Sequence, residues 1–251
     1  MIRWREKWIA FAVHFVVTVV LALAAAALIF LVWYPDPFHT MLGGTTLFLL
    51  VAGCDLALGP LISLVIYNSQ KSRRQLVFDY SLVGLVQLGA LFYGVYIVAD
   101  ARPAFVAFVG DRLEIVAAGD LTDADLAKAR NPEFGRRPLW GPQLVSTVVP
   151  PEDRNEVMMS GLSGKDVQFM PRYFVPYESQ VEKIRSRAKS LSEITAKHPD
   201  AEAMIAAAQA DAGSSELGWL TVHYARGFWT ALVDISSGLP VAYLPIDPYS
   251  S

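Results

Sequence analysis

Leu47-Phe-Leu-Leu-Val-Ala-Gly-Cys-Asp-Leu-Ala-Leu-Gly-Pro-Leu-Ile-Ser-Leu-Val-Ile-Tyr67 decides the fold class of this chain. Its single charge, Asp55, sits near the middle. A bilayer core about 30 Å thick takes about 20 apolar residues in helix, so the stretch reads as a transmembrane span. Two more spans follow from the same rule, Ile9 to Tyr34 and Tyr80 to Ala99, neither containing Asp, Glu, Lys or Arg. Interfacial aromatics flank them: Trp4, Trp8, Trp33, Tyr34, Tyr67, Tyr80 and Tyr96. Residues 1–99 carry a net +2 and residues 100–251 a net −5. The first 99 residues therefore read as a three-helix transmembrane domain, and residues 100–251 as one soluble domain of ordinary size. This pattern excludes a plain cytosolic enzyme, a secreted disulfide scaffold and a basic nucleic-acid binder.

Basic residues in short loops orient such a bundle. Arg3, Arg5 and Lys7 precede span one, and Lys71, Arg73 and Arg74 follow span two. The loop around Pro35-Asp-Pro-Phe-His carries no Lys or Arg. The N terminus and the 68–78 loop are thus expected in the cytoplasm. Everything after Ala99 is expected outside, as a periplasmic domain on a multi-pass inner-membrane protein. The alanines Ala24 to Ala27 invite a signal-peptide reading. The apolar run continues to Trp33, past the roughly 7–15 residues of a signal core, so an uncleaved anchor is expected. Cys54 is the only cysteine and lies inside span two, so the outer domain carries no disulfide.

Asp55 is the sharpest feature. An aspartate at mid-span costs roughly 2.5–3.5 kcal/mol on insertion scales and is a functional hypothesis by default. Two readings stand: a structural bond within the bundle, or a partner-binding or protonation role. Pro60 predicts a kink, and Gly59 allows close approach of a neighbour. With span centres near residues 21, 57 and 89, Asp55 lies about 3 Å to the outer side of the midplane and His14 about 10 Å to the cytoplasmic side, at about 1.5 Å per residue. A His14–Asp55 pair is therefore not expected. Ser63 and Ser81 share the depth of His14, while Tyr93 and Gln87 lie nearer that of Asp55. Gln87, Ala90 and Gly94 form a small, polar stripe on span three, and His14, Thr18 and Ala22 one on span one. Such stripes are internal packing faces or the wall of a groove for a fourth helix.

The outer part reads as α+β. Ala104 to Val109 and Arg112 to Val116 flank Gly110-Asp111 as a hairpin. Thr122 heads a short helix with acids in its first turn. Residues 131–151, rich in proline and aromatics, read as an ordered surface loop. Its Arg136, Arg137 and Trp140 are candidates for gripping a partner, against a plain solvated loop. Helices are expected from Pro151, over Glu178 to Lys197, and over Asp200 to Ala212. Three strands close the chain: Trp219 to Tyr224, Phe228 to Ile235 and Leu239 to Leu244, with Ser236-Ser-Gly238 turning the last hairpin. The expectation is an antiparallel sheet, joining the first hairpin to the last three strands, with about three helices.

Catalytic patterns fail on inspection. The four histidines have no ligand spacing, so neither metal nor cofactor is expected. Gly161-Leu-Ser-Gly-Lys165 misses a nucleophile elbow because glycine directly follows the serine, and misses a P-loop because Met159 replaces its first glycine. Ser186-Arg-Ala-Lys189 reads as a solvated helix face. No enzyme activity is expected.

Several motifs together resemble the TfpX/TfpZ (FimB-like) family of type IV pilin accessory proteins. These are Phe30-Leu-Val-Trp-Tyr-Pro35, Asp55-Leu-Ala-Leu-Gly-Pro-Leu-Ile62, Phe78-Asp-Tyr-Ser81, Arg102-Pro103, Asp111-Arg-Leu-Glu-Ile115 and Arg137-Pro-Leu-Trp-Gly-Pro142. The likeness covers most of residues 1–150. It implies an inner-membrane accessory that helps particular major pilins assemble into pili. The expected partners are a major type IV pilin, inner-membrane assembly proteins and membrane lipid, with no nucleic acid. Asp55, Gly59, Pro60, Gln87, Tyr93, Arg136, Arg137 and Trp140 are the candidate partner-binding residues. The alternatives are a periplasmic sensor or ligand-binding membrane protein, and a membrane enzyme or transporter using Asp55. The first is disfavoured by the lack of a cytoplasmic effector domain.

Overall fold

The computed structural model describes residues 4–67, 70–213 and 216–250. Arg3, one of the orienting cations, lies outside the described residues. The chain divides into two compact units, Met1–Asp100 and Ala101–Ser251.

The first unit is helical. Helix α1 (Trp4–Ala27) widens into a π-helical stretch, Leu28–Trp33. A short α2 (Phe38–Met41) leads to α3 (Gly44–Ile66), and α4 (Arg73–Ala101) completes the unit. Gly43, before α3, has φ +73°, which glycine adopts without a side-chain clash. Trp4–Trp33, Gly44–Ile66 and Arg73–Ala101 are each long and apolar enough to cross a membrane. Their side chains point outward into the surroundings: Leu31 is 77% and Val65 81% exposed. Water does not tolerate so continuous an apolar coat, and hydrocarbon does. At one end Tyr67 donates to Glu6 Oε2 (2.9 Å) and Lys71 Nζ to Asp79 Oδ2 (2.7 Å). Tyr34 differs from its interfacial reading: it is buried and donates to the Val98 carbonyl at 2.9 Å. The helix runs through Pro60 without a break.

The second unit is built on one sheet. Its elements are β1 (Pro103–Val109), β2 (Arg112–Ala117), α5 (Asp123–Leu126), β3 (Gln143–Thr147), α6 (Arg154–Leu162), β4 (Phe174–Pro176), α7 (Val181–Arg187), β5 (Lys189–Ser190), α8 (Leu191–Lys197), α9 (Ala201–Ala212), β6 (Leu217–Tyr224), β7 (Gly227–Asp234) and β8 (Pro240–Leu244). The strand order is β4-β3-β1-β2-β6-β7-β8, with β5 also pairing β6.

The first hairpin does join the last three strands, but the sheet is mixed rather than antiparallel. β1 pairs β3 in parallel, and β2 pairs β6 in parallel. The apolar run Ala104 to Phe108 is buried at every position. Continuous burial marks a strand covered on both faces, the setting in which parallel pairing occurs. The hairpin reading captured the turn at Gly110 (φ +66°) but not the second neighbour of β1. That neighbour, β3, comes from the segment read as loop.

The helix expected over Glu178 to Lys197 is also corrected. It breaks at Ala188, whose φ/ψ of −61°/130° is extended, so that Lys189-Ser190 pairs with Trp219 and Gly218. Glycine at 218 makes room: a Cβ there would lie 2.9 Å from Ala188 Cβ and 3.1 Å from the Lys189 carbonyl. Trp219 Nε1 donates to the Ser190 carbonyl at 3.0 Å. The break turns one long helix into α7 and α8, so the domain has more and shorter helices than expected. One core cluster gathers Phe105, Phe134 and Phe174 with Leu126 and Val145. A second gathers Ile194, Ile205, Trp219, Leu232 and Leu244.

Candidate functional site

The three long helices enclose a cavity of about 290 Å³. α1 lies closely along α3, whereas α4 stands further off. The stripe His14, Thr18 and Ala22 of α1 lines it, as do Val51 and Asp55 of α3 and Gly84, Gln87 and Gly94 of α4. The stripes seen in the sequence on spans one and three thus face one space, except that Ala90 is exposed elsewhere.

A polar network closes one side. His14 Nδ1 meets the hydroxyl of buried Ser63, and His14 Nε2 lies 2.8 Å from Gln87 Oε1. With the Nε2 proton donated to Gln87, the Nδ1 lone pair accepts from Ser63, so a neutral imidazole satisfies both. Of the two serines that depth arithmetic sets beside His14, Ser63 and Ser81, it is Ser63 that bonds it. Gln87 bonds His14 and not Asp55. Gly59 is what lets the three meet: a Cβ there would overlap Gln87 Nε2 and lie 3.1 Å from His14 Nε2. Gly59 and Pro60 are both buried. Tyr80 adds a hydroxyl 3.3 Å from the Ser63 carbonyl.

Asp55 is half-buried on the cavity wall, one turn along α3 from Gly59. Among the described residues, no hydrogen bond or ion pair reaches its carboxylate. Tyr93, which shares its depth, is 68% exposed and does not line the cavity. The bundle thus satisfies His14 and leaves Asp55 unsatisfied.

In the second unit the candidate loop separates into two roles. Arg137 turns inward: its guanidinium donates to the Ala118 carbonyl (2.9 Å), to the Leu121 carbonyl and to Asp123 Oδ1 (2.6 Å). It is a staple within the domain. Arg136 is exposed, and Trp140 is 77% exposed.

Two charged clusters escaped the sequence reading. Glu114, only 3% exposed, accepts from Arg112 Nε (2.5 Å) and meets His223 Nδ1 (2.7 Å) across the parallel β2–β6 register. Asp125, inside the Thr122 capping box, is paired with Lys165 (2.5 Å). Lys165 is the end of the failed Gly161–Lys165 motif, so that segment holds a structural ion pair. Burial pushes the Asp125 carboxyl up, but the bonds from Lys165 and Thr122 outweigh it and hold it below the usual carboxylate value. Neither long-range pairing carries a local sequence signal, because Glu114 and His223, like Asp125 and Lys165, lie far apart in the chain.

Fold and site together define a helical membrane-type protein bearing a mixed-sheet α+β domain, with a mostly apolar cavity among the helices. Residues 2–43 match the model of the family described as fimbrial assembly protein FimB. The chain is 37% identical over 187 residues to the fimbrial assembly protein of serogroup E1 from Dichelobacter nodosus, covering 74% of this chain and 72% of that protein. The serogroup I protein of the same organism is 36% identical over 183 residues, covering 72% of this chain and 71% of that protein. The protein of serogroups C1 and C2 is 38% identical over 117 residues, covering 47% of this chain and 89% of that protein. No solved structure matches the chain significantly. The chain belongs to the FimB fimbrial assembly family.

Proposed function

We propose that this chain promotes type IV pilus assembly, without catalysis, by holding the apolar helix of a major pilin in the inner membrane. The assembly role is supported by the relatives, which are named fimbrial assembly proteins. The observation that carries the pilin-binding step is Asp55: a carboxylate on the wall of an apolar cavity with no partner among the described residues. In hydrocarbon an unpaired carboxylate is costly, and a passing helix that brings a donor to it is retained. The pilin helix lies along the mouth of the groove and inserts side chains beside Asp55. Gly59, Pro60 and Gln87 hold the wall behind it. The N terminus faces the cytoplasm and residues 100–251 face the periplasm, in keeping with exposed Arg73 and Arg74 on the 68–78 side. Assembly proteins of the inner membrane are further partners in this reading.

Photocrosslinkers at Leu47 and Leu88, on the cavity wall, test the step in cells that make pili. The expected result is a crosslink to the major pilin that weakens in Asp55→Asn. Pili that depend on this protein while no groove position ever reaches pilin would overturn it.

A further inference from the structure

We propose that the loop from Arg136 to Gly141 is a membrane anchor that seats Leu139 and Trp140 in the headgroup layer of the bilayer. Leu139 is 68% and Trp140 77% exposed, and Arg136 beside them is exposed too. Exposure alone says little, since isolated surface hydrophobics are common. What distinguishes this pair is how it is held. Arg137 fastens one side of the loop to the Ala118 and Leu121 carbonyls. The Pro138 carbonyl accepts from Arg102 Nη2 at 3.3 Å. Gly141, at φ +58°, turns the chain back into the sheet. The loop cannot fold its apolar tip inward without breaking these bonds.

Arg102 also locates the loop. It directly follows Ala101, the last residue of α4, and its carbonyl accepts from Ala118 N at 2.9 Å. The charge-free run of α4 ends at Ala99. Two helical residues and the first residue after the helix carry the chain from there to Arg102, an advance of roughly 4–7 Å. The headgroup region adds about 5–7 Å on each side of the hydrocarbon. If α4 crosses the bilayer, Arg102 lies in that layer, and the Pro138 carbonyl is hydrogen-bonded to it. Leu139 and Trp140 are the next two residues. Tryptophan is enriched at this depth, where the ring meets lipid and the indole N–H meets water. Arg136 is placed to meet phosphate. The same surface would also suit a protein, but a bilayer is fixed at this position by the covalent chain, whereas a protein partner is not.

The test uses the full chain in phosphatidylcholine–phosphatidylglycerol nanodiscs, with Cys54→Ala removing the native thiol. Nitroxides are placed at Leu139→Cys, at Leu85→Cys in mid-α4 and at Ser186→Cys on the exposed side of α7. Collision with dissolved oxygen is compared with collision with a water-soluble nickel chelate. The expected result groups Leu139 with Leu85 as oxygen-favoured and sets Ser186 apart as nickel-favoured. Adding Trp140→Ser shifts the Leu139 label toward the nickel-favoured side. A lipid-like Leu85 with a water-like Leu139 overturns the anchor while leaving the transmembrane reading intact. A water-like Leu85 removes the transmembrane reading and the anchor with it. Protection of Leu139 only after purified pilin is added makes the loop a protein-docking surface, and the anchor is overturned.

Discussion

Gly59→Ala is a single-methyl change whose effect follows from the geometry. The new Cβ would overlap Gln87 Nε2 and lie 3.1 Å from His14 Nε2. Gln87 Nε2 is the far end of a flexible side chain, so the amide swings away and the backbone stays. The loss is then the His14–Gln87 hydrogen bond, together with some slack in the His14–Ser63 contact. Hydrogen bonds between membrane helices average about 0.6 kcal/mol, with a maximum near 1.7. That range corresponds to about a 3- to 18-fold shift in the folding equilibrium. The assay is reversible unfolding of the full chain in bicelles, in a cycle with Gln87→Ala. Gln87→Ala loses the same hydrogen bond but removes the obstacle, so the double variant costs about as much as either single one. Additive costs would refute the reasoning, because they would mean that Gly59 and Gln87 do not share one space. A loss well above that range would mean that α3 itself is displaced.

Three further outcomes follow. Asp55→Asn leaves the stability of the isolated chain unchanged or slightly raised, because no internal partner is lost, while pilin crosslinking falls at least about tenfold, the low end for a charged hydrogen bond; equal loss of stability would make Asp55 structural. Because Asp125 is held below its ordinary value, its contribution is present above the unfolded carboxylate pKa and is lost as pH falls through the folded one. Lys165→Met leaves only the Thr122 bonds to oppose burial, so acid unfolding of the full chain, followed by circular dichroism, begins at higher pH; an unmoved acid limb would count against the pair. Gly218→Ala overpacks the β5–β6 junction, at a cost of about 1–3 kcal/mol, read as a lowered melting temperature, and Ala188→Gly in the same chain recovers part of it.

The parts legible in the sequence were those set by local pattern. Three charge-poor runs became three long helices, Gly110 turned the first hairpin, and Thr122 capped α5. What stayed hidden depends on partners distant in the chain. β3 is five residues long, three of them polar, and lies near Pro142 and Pro150. Its partners, β1 in parallel and β4 in antiparallel, make it a strand. Likewise Lys189-Ser190 leaves its helical pattern because Gly218, some thirty residues on, opens a place beside β6. The membrane site divides the same way. Counting residues along a helix gives depth, so His14 and Ser63 were matched. It gives no angle around the bundle, so Tyr93 was set beside Asp55 although it faces outward, and Gln87 was not set beside His14. Once those angles are known, each polar side chain of the cavity wall except Asp55 has a bond that accounts for it: His14 with Ser63 and Gln87, and Thr18 with the His14 carbonyl at 3.0 Å. A residue that is costly in hydrocarbon and satisfied by nothing among the described residues is most simply explained by something that comes to it, which is why the search for the proposed pilin contact belongs at Asp55.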